Sequence, residues 1–316
     1  MKLHLDTDAF AQIIDIVSTE NTIRRDVLEK DYYVTLILEE LSKKQNQGFA
    51  YFKGGTALYK ALRSIRRFSE DIDLTVYVKD CPTQNQAKKR LENATKKYKS
   101  LDKGKTLEDE RGSITCEYLY DSMYELDIED RLQRFGNVRV EGTSFTVSEP
   151  TEKIQIAPHL YGLCSEEYKK ILRESYEVSP FIIETISLER IFIDKVFATE
   201  FYFERGDLDD VAKHVYDLTV LLQNSQITKF LSDCEEVKRI IGLKREEELK
   251  RKGGVDSNLK VKDFSCFLKL SETSKLEDCF DKMQKIYVLD DKDKICLDEI
   301  YSTTNRLHEY FTSLSV

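Results

Sequence analysis

Two neighbouring blocks of this chain have the residue types and spacing that phosphoryl chemistry requires. The first is Phe52-Lys53-Gly54-Gly55-Thr56-Ala57-Leu58-Tyr59, and the second is Arg67-Phe68-Ser69-Glu70-Asp71-Ile72-Asp73-Leu74. Alternate side chains of a strand share a face, so an extended second block points Asp71 and Asp73 the same way. Two adjacent carboxylates make a poor core. They make a good seat for Mg²⁺, or Mn²⁺ in its place, an ion usually held by one or two carboxylates plus substrate phosphates. Gly54 and Gly55 let the backbone approach a phosphate closely, and Thr56 adds a hydroxyl. Asp-x-Asp alone is commonly the solvated face of an edge strand. Here the acids follow Gly-Gly-Thr by 15 to 17 residues. The resulting strand, turn, helix and strand favour a metal site and suggest nucleotidyl transfer. Two metals bridging an attacking hydroxyl and an α-phosphate would stabilise an in-line displacement.

Such a site often draws a third acid from a neighbouring strand. Glu141, closing the run Val138-Arg139-Val140, is the candidate, against the plainer reading of a surface glutamate. Glu117 and Asp127 compete with it. Further along, Lys195 sits among Ile191, Phe192, Ile193, Val196 and Phe197, the company of a buried helix. A lysine there needs a partner, and its ammonium is a compact charge for a triphosphate. Asp217, between Tyr216 and Leu218, can orient Lys195 or a base, or form a structural salt bridge. Arg63, Arg66 and Arg67 either hold phosphates or an RNA backbone, or decorate a solvated turn. Ser69 is a turn residue or a ligand contact. His159 has no nucleophile nearby and reads as structural.

The elements that must position these residues follow from periodicity. Helices are expected at 8–20 and 26–45, a loop at 45–48, a strand at 49–53, and a helix from Thr56 through Arg63. A strand runs over 72–78, and a lysine-rich helix over 84–100. That helix reads as a solvated face and, on an acidic protein, as the first place to look for RNA contact. Strands follow at 113–120, 137–141 and 153–156. After Pro180 the pattern turns helical, at 184–205, 207–223, 225–240, 262–285 and 293–313, with a loop at 251–258. The front half is therefore α/β and the back half helical. Two domains are expected: residues 1–175 carrying the nucleotide chemistry behind N-terminal helices, and a helical domain over 176–316.

Composition limits the alternatives. The chain has 316 residues, 41% hydrophobic and 34% charged, with net charge −9. That is enough apolar content for a core, and a protein built to coat nucleic acid would be basic, so any such contact is local. No apolar run reaches 18 residues and no leader-like segment opens the chain, so neither a membrane span nor a signal peptide is expected. Seven cysteines, an odd number with no C-x-x-C pair, point to free thiols and a cytoplasmic setting. The four histidines have no metal-ligand spacing with a cysteine, which argues against zinc.

The Gly-Gly-Thr-Ala-Leu start and the Arg67-to-Leu74 run resemble the AbiEii-type nucleotidyltransferase toxins, which include the MenT toxins. Glu29-Lys30-Asp31-Tyr32-Tyr33 is similar to that family's first helix, and Asp194-Lys195 and Tyr216-Asp217-Leu218 to its downstream motifs. The resemblance runs from about residue 25 to 223. It implies a polymerase-β-like α/β core, a mixed sheet with flanking helices, plus a C-terminal helical domain. It also implies transfer of a nucleotide from an NTP, in some members onto the 3′ end of tRNA, and pairing with an antitoxin. By that matching, Asp71, Asp73 and the less certain Glu141 hold metal. By the same matching Lys195 and Asp217 are second-half active-site residues, while the residue types themselves assign Gly54, Gly55 and Thr56, with Ser69 and Arg67, to the nucleotide. The family often has Arg-Asp ahead of Tyr-Asp-Leu, whereas this chain has Lys213-His214. The same motifs serve two other readings: NMP transfer to a protein Ser, Thr or Tyr, and a non-catalytic nucleotide-binding protein, against which the intact pair of acids argues.

Overall fold

A computed structural model describes residues 1–109, 112–127, 132–146, 148–251 and 253–316. The chain divides into two compact units. One comprises Met1–Ala61, Phe68–Ser144 and Thr151–Thr185; the other comprises Leu62–Arg67, Phe145–Pro150 and Ile186–Val316.

The first unit begins with α1 (Thr7–Asn21) and α2 (Arg25–Gly48), then β1 (Ala50–Lys53). A short turn α3 (Gly54–Thr56) continues as a π-helical turn over Ala57–Ala61. Next come β2 (Ile72–Val76), α4 (Gln84–Thr95), β3 (Asp102–Asp109), β4 (Ser113–Leu119), β5 (Asn137–Thr143), β6 (Thr151–Ile156), α5 (His159–Leu163), α6 (Glu166–Tyr176) and β7 (Phe181–Ile186). The strands make one mixed sheet in the order β3-β4-β5-β2-β1-β7-β6. β2 runs parallel to β5 and antiparallel to β1, and β1 runs parallel to β7. The mixed sheet with flanking helices and the helical C-terminal region are as expected from the sequence.

Period-two burial in β4 and β5 divides the sheet into two faces. Ile72, Leu74, Ile114, Cys116, Val138 and Val140 are buried on one. Gly142 lies on that face against α4, where a Cβ would stand 2.5 Å from Thr95 Cγ2 and 3.1 Å from Leu91 Cδ1. The opposite positions, Asp71, Asp73, Thr115, Glu117, Arg139 and Glu141, are half-exposed.

Helix α2 is buried on all sides from Asp26 to Leu38. A helix so enclosed must give each charge a partner, because an unpaired buried charge is costly. Glu29 accepts from the Ser122 hydroxyl at 2.6 Å and the Met123 N–H at 2.8 Å. Lys30 donates to the carbonyls of Arg134, at 2.8 Å, and Asn137, and stands 3.6 Å from Glu70. Asp31 takes the Lys60 ammonium at 2.5 Å and the His159 N–H at 2.6 Å. His159 is thus part of the framework.

The second unit holds α7 (Leu188–Phe203), α8 (Leu208–Leu221), α9 (Ser225–Ser232), α10 (Cys234–Lys250), α11 (Ser265–Lys269), α12 (Leu276–Tyr287) and α13 (Leu297–Ser313). Buried charges join α7 to α10: Arg190 bonds Glu247 and sits 3.3 Å from Asp194, and Lys244 lies 3.1 Å from Glu247 and 2.9 Å from Glu248.

Several expected boundaries move. Residues 45–48 continue α2, and the lysine-rich helix stops at Thr95, capped into the core by Tyr98 and Tyr118 hydroxyls bonded to the carbonyls of Ala94 and Thr95. The helix expected over 184–205 is two elements: β7 takes 181–186 because Phe52 and Thr185 pair across the sheet, and α7 starts after the Ser187 cap. The spans 225–240 and 262–285 break at Asp233, an N-cap for α10, and around Thr273. Strand β3 was not expected; its charged, Gly-containing sequence becomes a strand by pairing with β4. Lys252, in the expected loop at 251–258, lies outside the described residues. All seven cysteines are free thiols. Among the described residues no helix is long and apolar enough to cross a membrane.

Gly142→Val should lower stability by about 1–3 kcal/mol, since β5 and α4 leave no room for the branches. Urea unfolding of the purified chain measures it.

Candidate active site

The site residues of the first unit are set by β-ladder register. Lys53 on β1 pairs with Asp73 on β2, Asp73 with Glu141 on β5, and Glu141 with Thr115 on β4. Four side chains from four strands therefore stand in one row on the half-exposed face. One step back, Arg139 pairs with Glu117, and Ile72 with Val140, which sets Asp71 beside Arg139.

Gly54 is where this row meets the turn. Its φ is +79°, and a Cβ on it would lie 2.1 Å from Asp73 Oδ2. Asp73 thus packs its carboxylate against a bare Cα, a position only glycine permits on both counts. Gly55 and Thr56 are buried in the turn that follows. The Thr56 hydroxyl donates to the Asp71 carbonyl and lies 3.0 Å from the Ser69 hydroxyl. Thr56 and Ser69 therefore clasp the turn to the start of β2 and fix where Asp71 emerges.

Glu70 and Asp71 leave the chain in different directions. Glu70 accepts the Arg134 N–H at 3.0 Å beside Lys30. Asp71 keeps about a third of its side chain exposed, yet its Oδ1 is buried and makes no hydrogen bond among the described residues. Arg134 Nε stands 3.7 Å from that oxygen. Burial, and then the Glu70 charge, push the Asp71 carboxyl above its usual range, against the pull of Lys30, Arg134 and Arg139. Glu141 is engaged: Arg139 Nη2 donates to its Oε2 at 2.9 Å.

Asp71, Asp73 and Glu141 offer carboxylate oxygens on this face, the donors a hard divalent cation selects. A buried, unbonded Asp71 oxygen beside Asp73 also fits a cation. Asp71 and Asp73 are the two residues that would hold it. As they stand, no three acidic, His or Cys side chains among the described residues are grouped to hold a metal. Glu141 is in register for a third but is turned to Arg139.

Within the second unit, Asp217 is fully buried on α8. Arg67 grips both its oxygens, Nε to Oδ1 and Nη2 to Oδ2, each at 2.8 Å. Lys195 of α7 lies 2.9 Å from Oδ2 and 3.2 Å from His214 Nδ1. Burial would raise the Asp217 carboxyl, but Arg67 and then Lys195 hold it below the usual carboxylate range. Burial, followed by the charges of Lys195, Arg67 and Lys213, drives the His214 imidazole far down, so it is neutral and Nδ1 accepts from the ammonium. Arg67 is no solvated turn residue: it is buried and bridges Val288 by a backbone ladder contact. Arg63 and Arg66 are exposed.

The sequence profile of the family described as nucleotidyl transferase AbiEii toxin, type IV toxin–antitoxin system, matches residues 36–268, well over half of the chain. The chain belongs to this family. No curated protein gives a significant match. Among solved structures, MenT4, a nucleotidyltransferase toxin from Mycobacterium tuberculosis H37Rv, is similar at TM-score 0.47 and 13% identity, over 95% of this chain and 98% of that one. The AbiEii match opens within α2, after Glu29-Lys30-Asp31-Tyr32-Tyr33, and runs on past Tyr216-Asp217-Leu218 into α11. It therefore starts later and ends later than the motifs alone suggested. An AbiEii toxin is a nucleotidyltransferase, so the chain is an enzyme of that class.

Three residues of these clusters escaped sequence reasoning. Lys53 immediately precedes the glycines, and Arg139 lies two residues before Glu141, so period two would have put Arg139 on the same face. His214 was noted only as a departure, whereas it is a polar partner of Lys195.

Gly54→Ala should cost about 1–3 kcal/mol from the left-handed backbone alone, with a further loss as Asp73 is displaced; urea unfolding beside Gly142→Val reads it. Asp217→Asn should cost about 3–5 kcal/mol at neutral pH, because two buried cations lose their carboxylate. The folded carboxyl lies below its unfolded value of about 3.9, so its contribution is complete above that pH and fades as pH falls through the folded value. The gap between wild type and Asp217→Asn should accordingly narrow below about pH 4 in urea titrations at stepped pH.

Proposed function

We propose that the chain moves a nucleoside monophosphate from an NTP onto an acceptor hydroxyl, taken to be an RNA 3′ end such as that of tRNA, as the toxin of a toxin–antitoxin pair. The oxygen of the acceptor attacks the α-phosphorus, the bond to the bridging oxygen breaks, and pyrophosphate leaves. The observation that supports this most directly is the carboxylate of Asp73 packed on Gly54, in register with Glu141. Triphosphate oxygens approaching the Gly54-Gly55 backbone would then lie beside the acids.

A divalent ion, Mg²⁺ or Mn²⁺, on Asp71 and Asp73 would supply charge neutralisation for the phosphates and for the developing oxyanions. Gly54 and Gly55 present backbone N–H groups without a Cβ in the way. Thr56 and Ser69 keep the turn and β2 in fixed relation, a positioning role. In the helical unit, Lys195 gives hydrogens to Asp217 and His214. An ammonium has three, and we assign the third to a phosphate oxygen. Asp217 orients Lys195 and Arg67. The family's type IV toxin–antitoxin description supports an antitoxin as partner. The local basic stretch at 84–100 remains our first choice for RNA contact.

Purified chain should be incubated with each of the four labelled NTPs, Mg²⁺, and either total RNA or total cell protein. Label is expected in RNA, lost on chelation and in Asp73→Ala. Label in protein alone would replace the RNA acceptor with a side-chain hydroxyl. Toxicity in cells that survives Asp71→Ala unchanged would remove the catalytic reading.

A further inference from the structure

The acid row carries its own cation. Arg139 projects from β5 on the same face as Glu141, two residues on, and bonds it at 2.9 Å. Burial disfavours its charge, but the neighbouring charges of Glu141, Asp71 and Asp73 favour it and hold the guanidinium above its usual range. Both Arg139 and Glu141 keep about a third of their side chains exposed, at 29% and 34%, so neither is locked into a core. Opposite Arg139 on β4 stands Glu117, a second carboxylate within cross-strand reach.

Three carboxylates on neighbouring strands repel one another, and without a counter-charge each raises the cost of ionising the next. A guanidinium can meet that need in the ion-free protein. It cannot keep doing so once a divalent cation arrives, since two cations beside the same oxygens repel. A carboxylate oxygen that accepts from Arg139 also offers less electron density to a metal. Arg134, on a turn ahead of β5, stands 3.7 Å from Asp71, whereas Arg139 is the cation bonded to Glu141.

We propose that Arg139 is the resident counter-cation of this face, holding Glu141 away from the ion seat, so that its release of Glu141 completes a three-carboxylate site. This rests on the reading of Asp71 and Asp73 as metal ligands. Arg139 is a positioning residue: it acts through Glu141 and tunes how tightly an ion binds.

The test is Mn²⁺ binding to the full chain without nucleotide, followed by electron paramagnetic resonance, with circular dichroism as the check on folding. Arg139→Gln should bind Mn²⁺ about fivefold or more tighter than wild type, because the fraction of sites with Glu141 available rises. In a Glu141→Gln background the same substitution should gain less than about twofold, since no carboxylate is left to release. Equal or weaker binding by Arg139→Gln overturns the proposal. So does an undiminished gain in the Glu141→Gln background, which would make Arg139 a general charge only. Should Arg139→Gln misfold, Arg139→Met carries the test: it keeps the length of the side chain and loses the charge, and binding no tighter than wild type overturns the idea. Asp73→Ala separates the two claims: Mn²⁺ binding that persists in it sinks the metal seat itself, and the latch with it. Absence of Mn²⁺ binding in wild type and every variant has the same consequence.

Discussion

The first unit is organised around a carboxylate resting on a bare Cα. Asp73 occupies the space a side chain at Gly54 would fill, and the ladder that puts it there also sets Lys53 and Glu141 at its flanks. Nothing in this contact is strong by itself. Its force is steric: one register and one residue type satisfy it, and a one-residue slip would send every acid to the apolar face. The Thr56 hydroxyl on the Asp71 carbonyl closes the same junction from the other side. Between them, turn and strand have little freedom, and two acids are held beside a backbone that a phosphate can approach.

Both units bury charges and pair them with opposite charges or polar groups. In α2 the run Glu29-Lys30-Asp31 faces hydroxyls, carbonyls and opposite charges, and in α8 Asp217 meets Arg67 and Lys195 together. Buried pairs of this kind contribute little net stability compared with apolar residues of equal size, yet losing one partner is costly. They specify arrangement more than they add cohesion. Arg67 shows the consequence for chemistry. Four residues before Asp71 in the chain, it is committed to Asp217, so its charge sets the state of a carboxylate before it can serve any ligand.

Much of the site was legible because its signals are local. Gly-Gly-Thr and Asp-x-Asp need only the backbone of their own turn and strand, and the apolar residues around Lys195 announced a buried ammonium that must have a partner. What escaped depended on neighbours distant in the chain. Residues 181–186, rich in Ile and Thr, continue into an apolar helix, and only the pairing of Thr185 with Phe52 separates strand from helix. Residues 102–109 have poor strand propensity and are recruited by β4. Arg139 lay inside a recognised strand, and it went unread because attention stayed on the acids.

By itself the sequence determined the chemistry on offer: two acids on one face, a glycine turn that tolerates close approach, an α/β half before a helical half, and a family signature. These follow from period, residue type and spacing, which act over a few residues. Tertiary structure decided the partnerships. It set Glu141 beside Asp73 yet turned it to Arg139, gave Lys195 both Asp217 and a neutral His214, and made Thr56 a clasp. Partnerships depend on register and burial, and those arise when segments tens or hundreds of residues apart exclude water together, a condition that no local pattern encodes.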